Sequence, residues 1–158
     1  MTKSALNVLD ANRKGFFLMI EGGAVDWAGH ANQPGRAIEE QIDFNKAVEA
    51  VVRWVQRNSD WDETLVIVTG DHETGCLWGP GSGVPGGNGT WTPLVNNGED
   101  VTPGMQSNSG DHTNSLIPFF ARGEGAADLR AAAMKADPIR GKYLDNTDIA
   151  KVILADMR

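Results

Sequence analysis

The sequence lacks several features that would place it in common classes of protein. No run approaches the roughly 18 consecutive apolar residues of a membrane-spanning helix, and the first residues, MTKSALNVLDANRKG, contain no apolar segment typical of a signal peptide. The single cysteine, Cys76, excludes an internal disulfide bond. We therefore expect neither a membrane span nor a disulfide-stapled scaffold in these residues.

Positive charge is also scarce. The chain has 14 lysine and arginine residues against 21 aspartate and glutamate residues, which gives a formal net charge of -7 and a pI near 4.8. Nucleic acids and anionic membrane surfaces attract basic proteins, so we expect neither as a partner. An anionic small substrate would need positive charge from another source, such as bound metal ions.

An apolar run over Phe16–Ile20 predicts a strand that is buried on both faces. Two glycines soon after it permit a sharp turn. Asp26 and His30 then follow at a spacing of four residues, which places both on one side of a helical turn. Carboxylate and imidazole groups are zinc ligands, so this stretch predicts a metal site at the end of a strand.

The same arrangement occurs a second time. Leu65–Thr69 is rich in β-branched residues and ends at a glycine that is followed by Asp71 and His72. Apolar residues at helical spacing predict a long helix from Arg36 to about Asn58. Strand, helix and strand form a βαβ unit with parallel strands and a right-handed crossover, which would bring both ligand clusters to one edge of a sheet.

The rest of the chain is less regular. Residues 75–110 form an insertion crowded with Gly, Pro, Asn, Ser and Thr, for which a two-stranded excursion pinned by Trp78 and Trp91 and disorder are open alternatives. The insertion lacks the Gly-Lys-Ser/Thr ending of a phosphate-binding loop. The other predicted elements are a helix over 2–14, a strand over Ile117–Ala121, a helix over 126–136 and a closing helix from Asn146.

The three histidines share a setting. His30, His72 and His112 each lie near glycine and an acidic residue at a predicted strand end or in a loop. Such ligands favour a two-metal hydrolase, in which two ions roughly 3.5–4 Å apart hold a phosphoryl group. The alternative is that these side chains are solvated residues at strand ends.

Three motifs together resemble a known family. In chain order they are GFFLMIEGGAVDWAGH, TLVIVTGDHETG and SGDHTNSLIPFFARG, with the long helix between the first two. They resemble the carboxyl-terminal half of alkaline phosphatase, and the resemblance covers nearly all of the chain outside residues 75–110. It implies a three-layer α/β/α sandwich with a mostly parallel sheet, in which residues 1–158 form a single domain that is the carboxyl-terminal portion of a larger catalytic domain.

The resemblance also implies a function and a set of site residues. The function is hydrolysis of phosphate monoesters with two zinc ions and one magnesium ion. Trp27 occupies a substrate-side position that varies within the family, whereas Glu73, Asp111 and Asp43 match no family ligand. The implied metal ligands are Asp26, His30 and His112 for the first zinc, Asp71 and His72 for the second zinc, and Glu21 for magnesium.

One departure from the family is large. The serine nucleophile, the aspartate beside it, the threonine of the magnesium site and the phosphate-binding arginine belong to the amino-terminal half of the family's domain. No Asp-Ser-Ala motif occurs here, and Ser109 and Ser115 do not follow a buried strand. We therefore expect no catalytic nucleophile in this chain and little turnover by it alone.

Alternatives to the phosphatase remain. The chain would otherwise be a stand-alone zinc-binding module, or a piece of a related phosphodiesterase or sulfatase, although Glu21 favours the monoesterase. The resemblance implies a periplasmic or secreted protein. A sheet edge left open by the absent half would be exposed, and a homodimer is one way to cover it.

Overall fold

Residues 1–83 and 89–156 are described by the computed structural model, so residues 84–88 of the predicted insertion lie outside the described residues. The described helices are α1 (Thr2–Leu9), α2 (Ala24–His30), α3 (Pro34–Asn58), α4 (Ala126–Ala132) and α5 (Asn146–Asp156). The described strands are β1 (Leu65–Thr69), β2 (Glu73–Thr74), β3 (Leu77–Trp78), β4 (Gln106–Ser107), β5 (His112–Thr113), β6 (Phe119–Gly123), β7 (Lys135–Asp137) and β8 (Gly141–Tyr143). None of these helices is both long and apolar enough to cross a membrane.

Helix α3 is the element on which the other amino-terminal helices pack. It starts at Pro34, whose fixed φ and missing N–H suit the first turn of a helix. Its Val55 is fully buried, and both α1 and α2 pack against it. The predicted long helix is therefore confirmed, beginning two residues earlier than Arg36.

Strands β1 and β6 form the longest pair, with Leu65 opposite Gly123 and Thr69 opposite Phe119. The strand predicted at Leu65–Thr69 has those bounds in the structure. The strand predicted at Ile117–Ala121 begins at Phe119 instead, since Pro118 has no N–H to donate to a ladder.

The predicted mostly parallel sheet is not confirmed. The described strands form four separate two-stranded sheets, and every pair is antiparallel, including β1 with β6. The three-layer arrangement built on such a sheet is likewise not confirmed in this chain.

Phe16–Ile20 is not a strand, because its backbone pairs with none of the described strands. Phe17 and Met19 are 66% and 75% exposed, while the ring of Phe16 meets that of Trp54 edge-on at 5.6 Å. Exposure thus alternates along the segment, as in an extended chain that is covered on one face. The apolar run correctly indicated that this segment packs against the rest of the protein. The prediction that both of its faces are buried was wrong.

The insertion is partly ordered by strand pairs where it is described. Trp78 lies in β3, which pairs with β4, and Val95 forms an isolated bridge with Gly104. This favours the two-stranded excursion over disorder for the described part. Trp91 is 59% exposed, so it does not anchor the excursion as predicted.

Two helices are shorter than predicted. Helix α1 ends at Leu9 because the chain turns at Asn12, whose side chain accepts a hydrogen bond from the Lys14 amide at 3.1 Å. Helix α4 ends at Ala132, and the residues expected to continue it form β7 of a hairpin with β8.

Candidate metal centre

Four predicted metal ligands converge from three parts of the chain. Asp26 and His30 lie one turn apart on α2, His72 directly precedes β2, and His112 lies in β5. Strands β2 and β5 are paired with Thr74 opposite His112, and α2 packs against β2. The convergence therefore depends on one helix lying against one short strand pair.

Asp26, His30 and His112, the predicted ligands of the first zinc, have their donor atoms close together. The two Nε2 atoms of His30 and His112 are 3.0 Å apart. The Asp26 carboxylate lies 3.4 Å from His30 Nε2 through Oδ2 and 3.5 Å from His112 Nε2 through Oδ1. Two ligands of a tetrahedral zinc, each about 2.0–2.1 Å from the metal, are roughly 3.3 Å apart. The separations in this set are close to that value, with Oδ2 of Asp26 facing His30 and Oδ1 facing His112.

The tautomer of His30 is determined by its surroundings. Its Nδ1 lies 2.6 Å from the carbonyl oxygen of Gly110. A carbonyl oxygen can only accept, so Nδ1 carries the proton and donates it. In the neutral ring Nε2 then has a free lone pair, and that atom faces Asp26 and His112.

Of the predicted ligands of the second zinc, His72 lies beside the first set, whereas the Asp71 side chain is 88% exposed and contacts only His72 among the described ligands. Asp71 Oδ2 is 3.2 Å from His72 Nε2. The His72 ring is stacked on that of His112, with centroids 3.4 Å apart. One ligand atom from each of Asp26, His72 and His112 falls within 4.8 Å of the others. The two ligand sets are therefore in contact.

Asp26 is held in its ionised form. The Thr74 hydroxyl donates a hydrogen bond of 2.6 Å to Asp26 Oδ1, and this bond, together with the nearby histidines, keeps the pKa of Asp26 below its usual value of 3.8. Partial burial acts in the opposite direction and is outweighed. An ionised carboxylate is the form that binds a cation.

Glu21, the predicted magnesium ligand, is not brought into this cluster. Its side chain is exposed and, among the described residues, has no hydrogen-bond or ion-pair partner. Trp27 lies on α2 next to Asp26 and is 73% exposed. It lines a groove of about 290 Å³ together with Arg36 and Glu40.

The Glu73 carboxylate is engaged in hydrogen bonds within the protein. This agrees with the expectation that Glu73 is not a metal ligand. Its carboxylate accepts a hydrogen bond from the Thr113 hydroxyl at 2.5 Å and another from the Leu77 amide at 3.0 Å. These bonds tie β2 to β5 and to the start of β3. Glu73 thus holds together the strand pair that carries His112.

Two partners of the ligands were missed by sequence reasoning. The Gly110 carbonyl has no side-chain signature, so nothing in the sequence marks it. Thr74 could have been found, since it lies two residues after His72 and side chains at that spacing share one face of a strand.

Comparisons with known proteins identify the family to which the chain is similar. The family model described as alkaline phosphatase matches residues 1–117. The chain is similar to alkaline phosphatase of Escherichia coli, with 32% identity over 135 residues that cover 82% of this chain and 27% of that protein. It is also similar to alkaline phosphatase 4 of Bacillus subtilis, with 45% identity over 75 residues that cover 48% of this chain and 16% of that protein.

A solved structure is similar as well. Alkaline phosphatase from the Antarctic bacterium TAB5 superimposes with a TM-score of 0.59 at 32% identity, covering 79% of this chain and 33% of that one. A variant of the same enzyme, solved with Mg bound, gives a TM-score of 0.58. The chain thus spans only about a sixth to a third of the length of these proteins.

Proposed function

The chain belongs to the alkaline phosphatase family, whose model matches residues 1–117, and we propose that it supplies most of the metal ligands of a phosphomonoester hydrolase. The observation that carries this proposal is the convergence of the Asp26, His30 and His112 donor atoms at separations of 3.0 to 3.5 Å. Such a set has the chemistry and spacing that zinc requires.

In this proposal each side chain has a defined task. Asp26, His30 and His112 would hold the first zinc, Asp71 and His72 would hold the second, and Glu21 would bind a magnesium ion. When bound, these ions supply positive charge that stabilises phosphoryl oxygens. The chain's own residues fix the donor atoms, with Gly110 orienting the His30 ring.

Substrate recognition is proposed to involve Trp27. Its ring is exposed, adjacent in sequence to Asp26, and lines the groove that also contains Arg36. The Arg36 guanidinium can bind phosphate oxygens, while the Glu40 carboxylate in the same groove opposes an anionic ligand. The net charge of the whole chain is -7, which leaves the metal ions as the main source of attraction for phosphate.

The isolated chain is proposed to bind metal without turning over substrate. It contains no Asp-Ser-Ala motif, and a phosphoseryl intermediate needs an activated serine. A periplasmic or secreted location and a homodimeric assembly are further proposals that rest on the family alone.

Calorimetric titration with zinc tests the proposal, using the wild-type chain, His112→Ala and Asp111→Asn. We expect His112→Ala to weaken zinc binding at least about 100-fold, more than loss of a residue that only orients a ligand. Asp111→Asn removes a neighbouring exposed carboxylate and should bind like the wild type.

A p-nitrophenyl phosphate assay run alongside separates the alternatives. Zinc binding without turnover supports the proposal. Equal zinc binding by the wild type and His112→Ala would contradict the proposed first site. Turnover that is lost with His112→Ala would instead identify a zinc-binding module with its own hydrolytic activity.

A further inference from the structure

The hydroxyl of Thr74 lies between the two ligand sets. It is 2.6 Å from Asp26 Oδ1, a proposed ligand of the first zinc, and 3.2 Å from His72 Nδ1, a proposed ligand of the second. The side chain is half-buried. One small group thus contacts both sets at once.

The direction of these hydrogen bonds follows from counting protons. A threonine hydroxyl has one hydrogen to donate and lone pairs that accept. An ionised carboxylate only accepts, so the hydroxyl hydrogen is used by Asp26. The contact with His72 is therefore made by the ring, whose Nδ1–H donates to the Thr74 oxygen.

This assigns a tautomer to His72. If Nδ1 carries the proton of the neutral ring, Nε2 is left with a free lone pair. The Asp71 carboxylate lies 3.2 Å from that atom and only accepts hydrogen bonds, so in the metal-free chain it favours a proton on Nε2 and opposes the tautomer that Thr74 favours. His30 also carries its proton on Nδ1, but there the proton is donated to the Gly110 carbonyl oxygen.

We propose that Thr74 is a positioning residue that couples the two metal sites, orienting Asp26 in one and selecting the metal-binding tautomer of His72 in the other. This inference rests on the proposed metal-binding function.

The backbone holds Thr74 in the required position. Its place opposite His112 in the β2–β5 pair fixes its Cα. A Cβ added to Gly29 would lie 3.0 Å from Thr74 Cβ and 3.1 Å from Cγ2, so the threonine methyl packs directly on the backbone of α2. Because a β-branched side chain has few χ1 rotamers, this packing aims the hydroxyl at Asp26.

Thr74→Val and Thr74→Ser form a matched pair for the test. Valine keeps the branched shape and loses the hydroxyl, whereas serine keeps the hydroxyl and loses the methyl. Nitrogen-15 NMR of the imidazoles in the metal-free chain reports which nitrogen carries the proton. Zinc calorimetry reports the affinity, and far-UV circular dichroism checks that both variants fold.

We expect His72 to be protonated on Nδ1 in the wild type and in Thr74→Ser, and to lose that preference in Thr74→Val. Zinc affinity should fall about 10- to 100-fold in Thr74→Val, the usual effect of losing a group that orients a ligand, and Thr74→Ser should restore most of it. A role limited to packing would give the opposite order, because only valine preserves the methyl.

Two results would overturn the proposal: a His72 tautomer that is unchanged in Thr74→Val, or a zinc affinity of Thr74→Val equal to that of the wild type. If the wild-type chain binds no zinc, the proposed metal function fails. The tautomer measurement needs no metal and still decides the role of Thr74.

Discussion

His30 and His72 each have one ring nitrogen engaged by the protein and the other facing the ligand cluster. The engaged partners differ, since one is the Gly110 carbonyl and the other the Thr74 hydroxyl. In both cases the atom that faces the ligand cluster is Nε2. When the histidine tautomers are selected before the metal binds, less of the metal-binding free energy is lost in ordering the ligands.

A glycine in the longest strand pair supports a prediction about stability. Gly123 has φ +105°, and a Cβ there would lie 1.8 Å from the carbonyl oxygen of Thr64. Gly141 also has positive φ, at +82°, but no atom lies within 4 Å of its added Cβ. Alanine substitutions at these two glycines therefore distinguish the effect of backbone strain from that of steric overlap.

We expect Gly123→Ala to lower the free energy of unfolding by about 3 kcal/mol or more, because strain and overlap both oppose it. Gly141→Ala should cost about 1–2 kcal/mol, from left-handed strain alone. Urea denaturation followed by circular dichroism measures both. Equal losses for the two variants would show that the chain at Thr64 yields to the added methyl group.

Among the elements, the strand pair that carries His112 is as short as the β3–β4 pair, and side-chain hydrogen bonds support it. Strands β2 and β5 have two residues each, and such a short pair is marginal by itself. The Glu73–Thr113 hydrogen bond crosses the pair, and the Gly75 amide donates to the Asp111 carbonyl at 3.0 Å. Because the strands are so short, these local hydrogen bonds hold the strand pair and its His112 in place.

The hairpin β7–β8 is joined to α5 by an ion pair that sets a pH dependence. Lys135 Nζ donates to Asp145 Oδ2 at 2.9 Å. This bond, with further ones from the amide and hydroxyl of Thr147, lowers the pKa of Asp145 from 3.8 to about 2. Because the folded-state pKa is the lower one, the pair stabilises the fold above about 3.8 and loses this effect as the pH falls through about 2.

We expect the side-chain carboxyl carbon of Asp145 to titrate with a midpoint near 2 by NMR. Lys135→Met should raise the midpoint towards 3.8, the unperturbed value. Lys142→Met, in the paired strand β8, should leave it unchanged. A midpoint near 3.8 in the wild type would mean that the ion pair does not form in solution.

At the scale of the whole molecule, the chain exposes more surface than its size requires. A folded monomer of 17.0 kDa is expected to expose roughly 7,700 Å², whereas this chain exposes 11379 Å². Within the described part, few apolar residues are buried, and many large apolar side chains are exposed. The buried apolar residues are Leu6, Ala28, Val55, Cys76 and Leu129.

This surface predicts self-association. Phe17 and Leu154, 66% and 61% exposed, line an apolar groove of about 310 Å³ with Ala150 and Ile153. We expect sedimentation velocity to give a mean mass above 17.0 kDa that rises with concentration. Phe17→Lys should reduce the association.

Ile139→Lys is the matched control for that experiment. Ile139 is 88% exposed in the turn between β7 and β8, and it does not line the groove. It should leave the association unchanged. A monomeric wild type, or an equal effect of both substitutions, would contradict a role for the groove.

The sequence by itself determined the family, the long helix and the strand at Leu65–Thr69, and it predicted Asp26, His30, His72 and His112, which the structure brings together. These depend on residue type and local spacing: β-branched runs favour strands, and Asp26 and His30 share a helical face because they are four residues apart. The family prediction is confirmed by the match over residues 1–117.

Only the tertiary structure decided how the strands pair and which groups orient the ligands. The apolar run at Phe16–Ile20 could not show that it lacks a partner strand, because hydrogen bonding between strands depends on residues distant in sequence. For the same reason the antiparallel pairing of β1 with β6 was not foreseen. The Gly110 carbonyl lies 80 residues from His30, and only folding brings the two together.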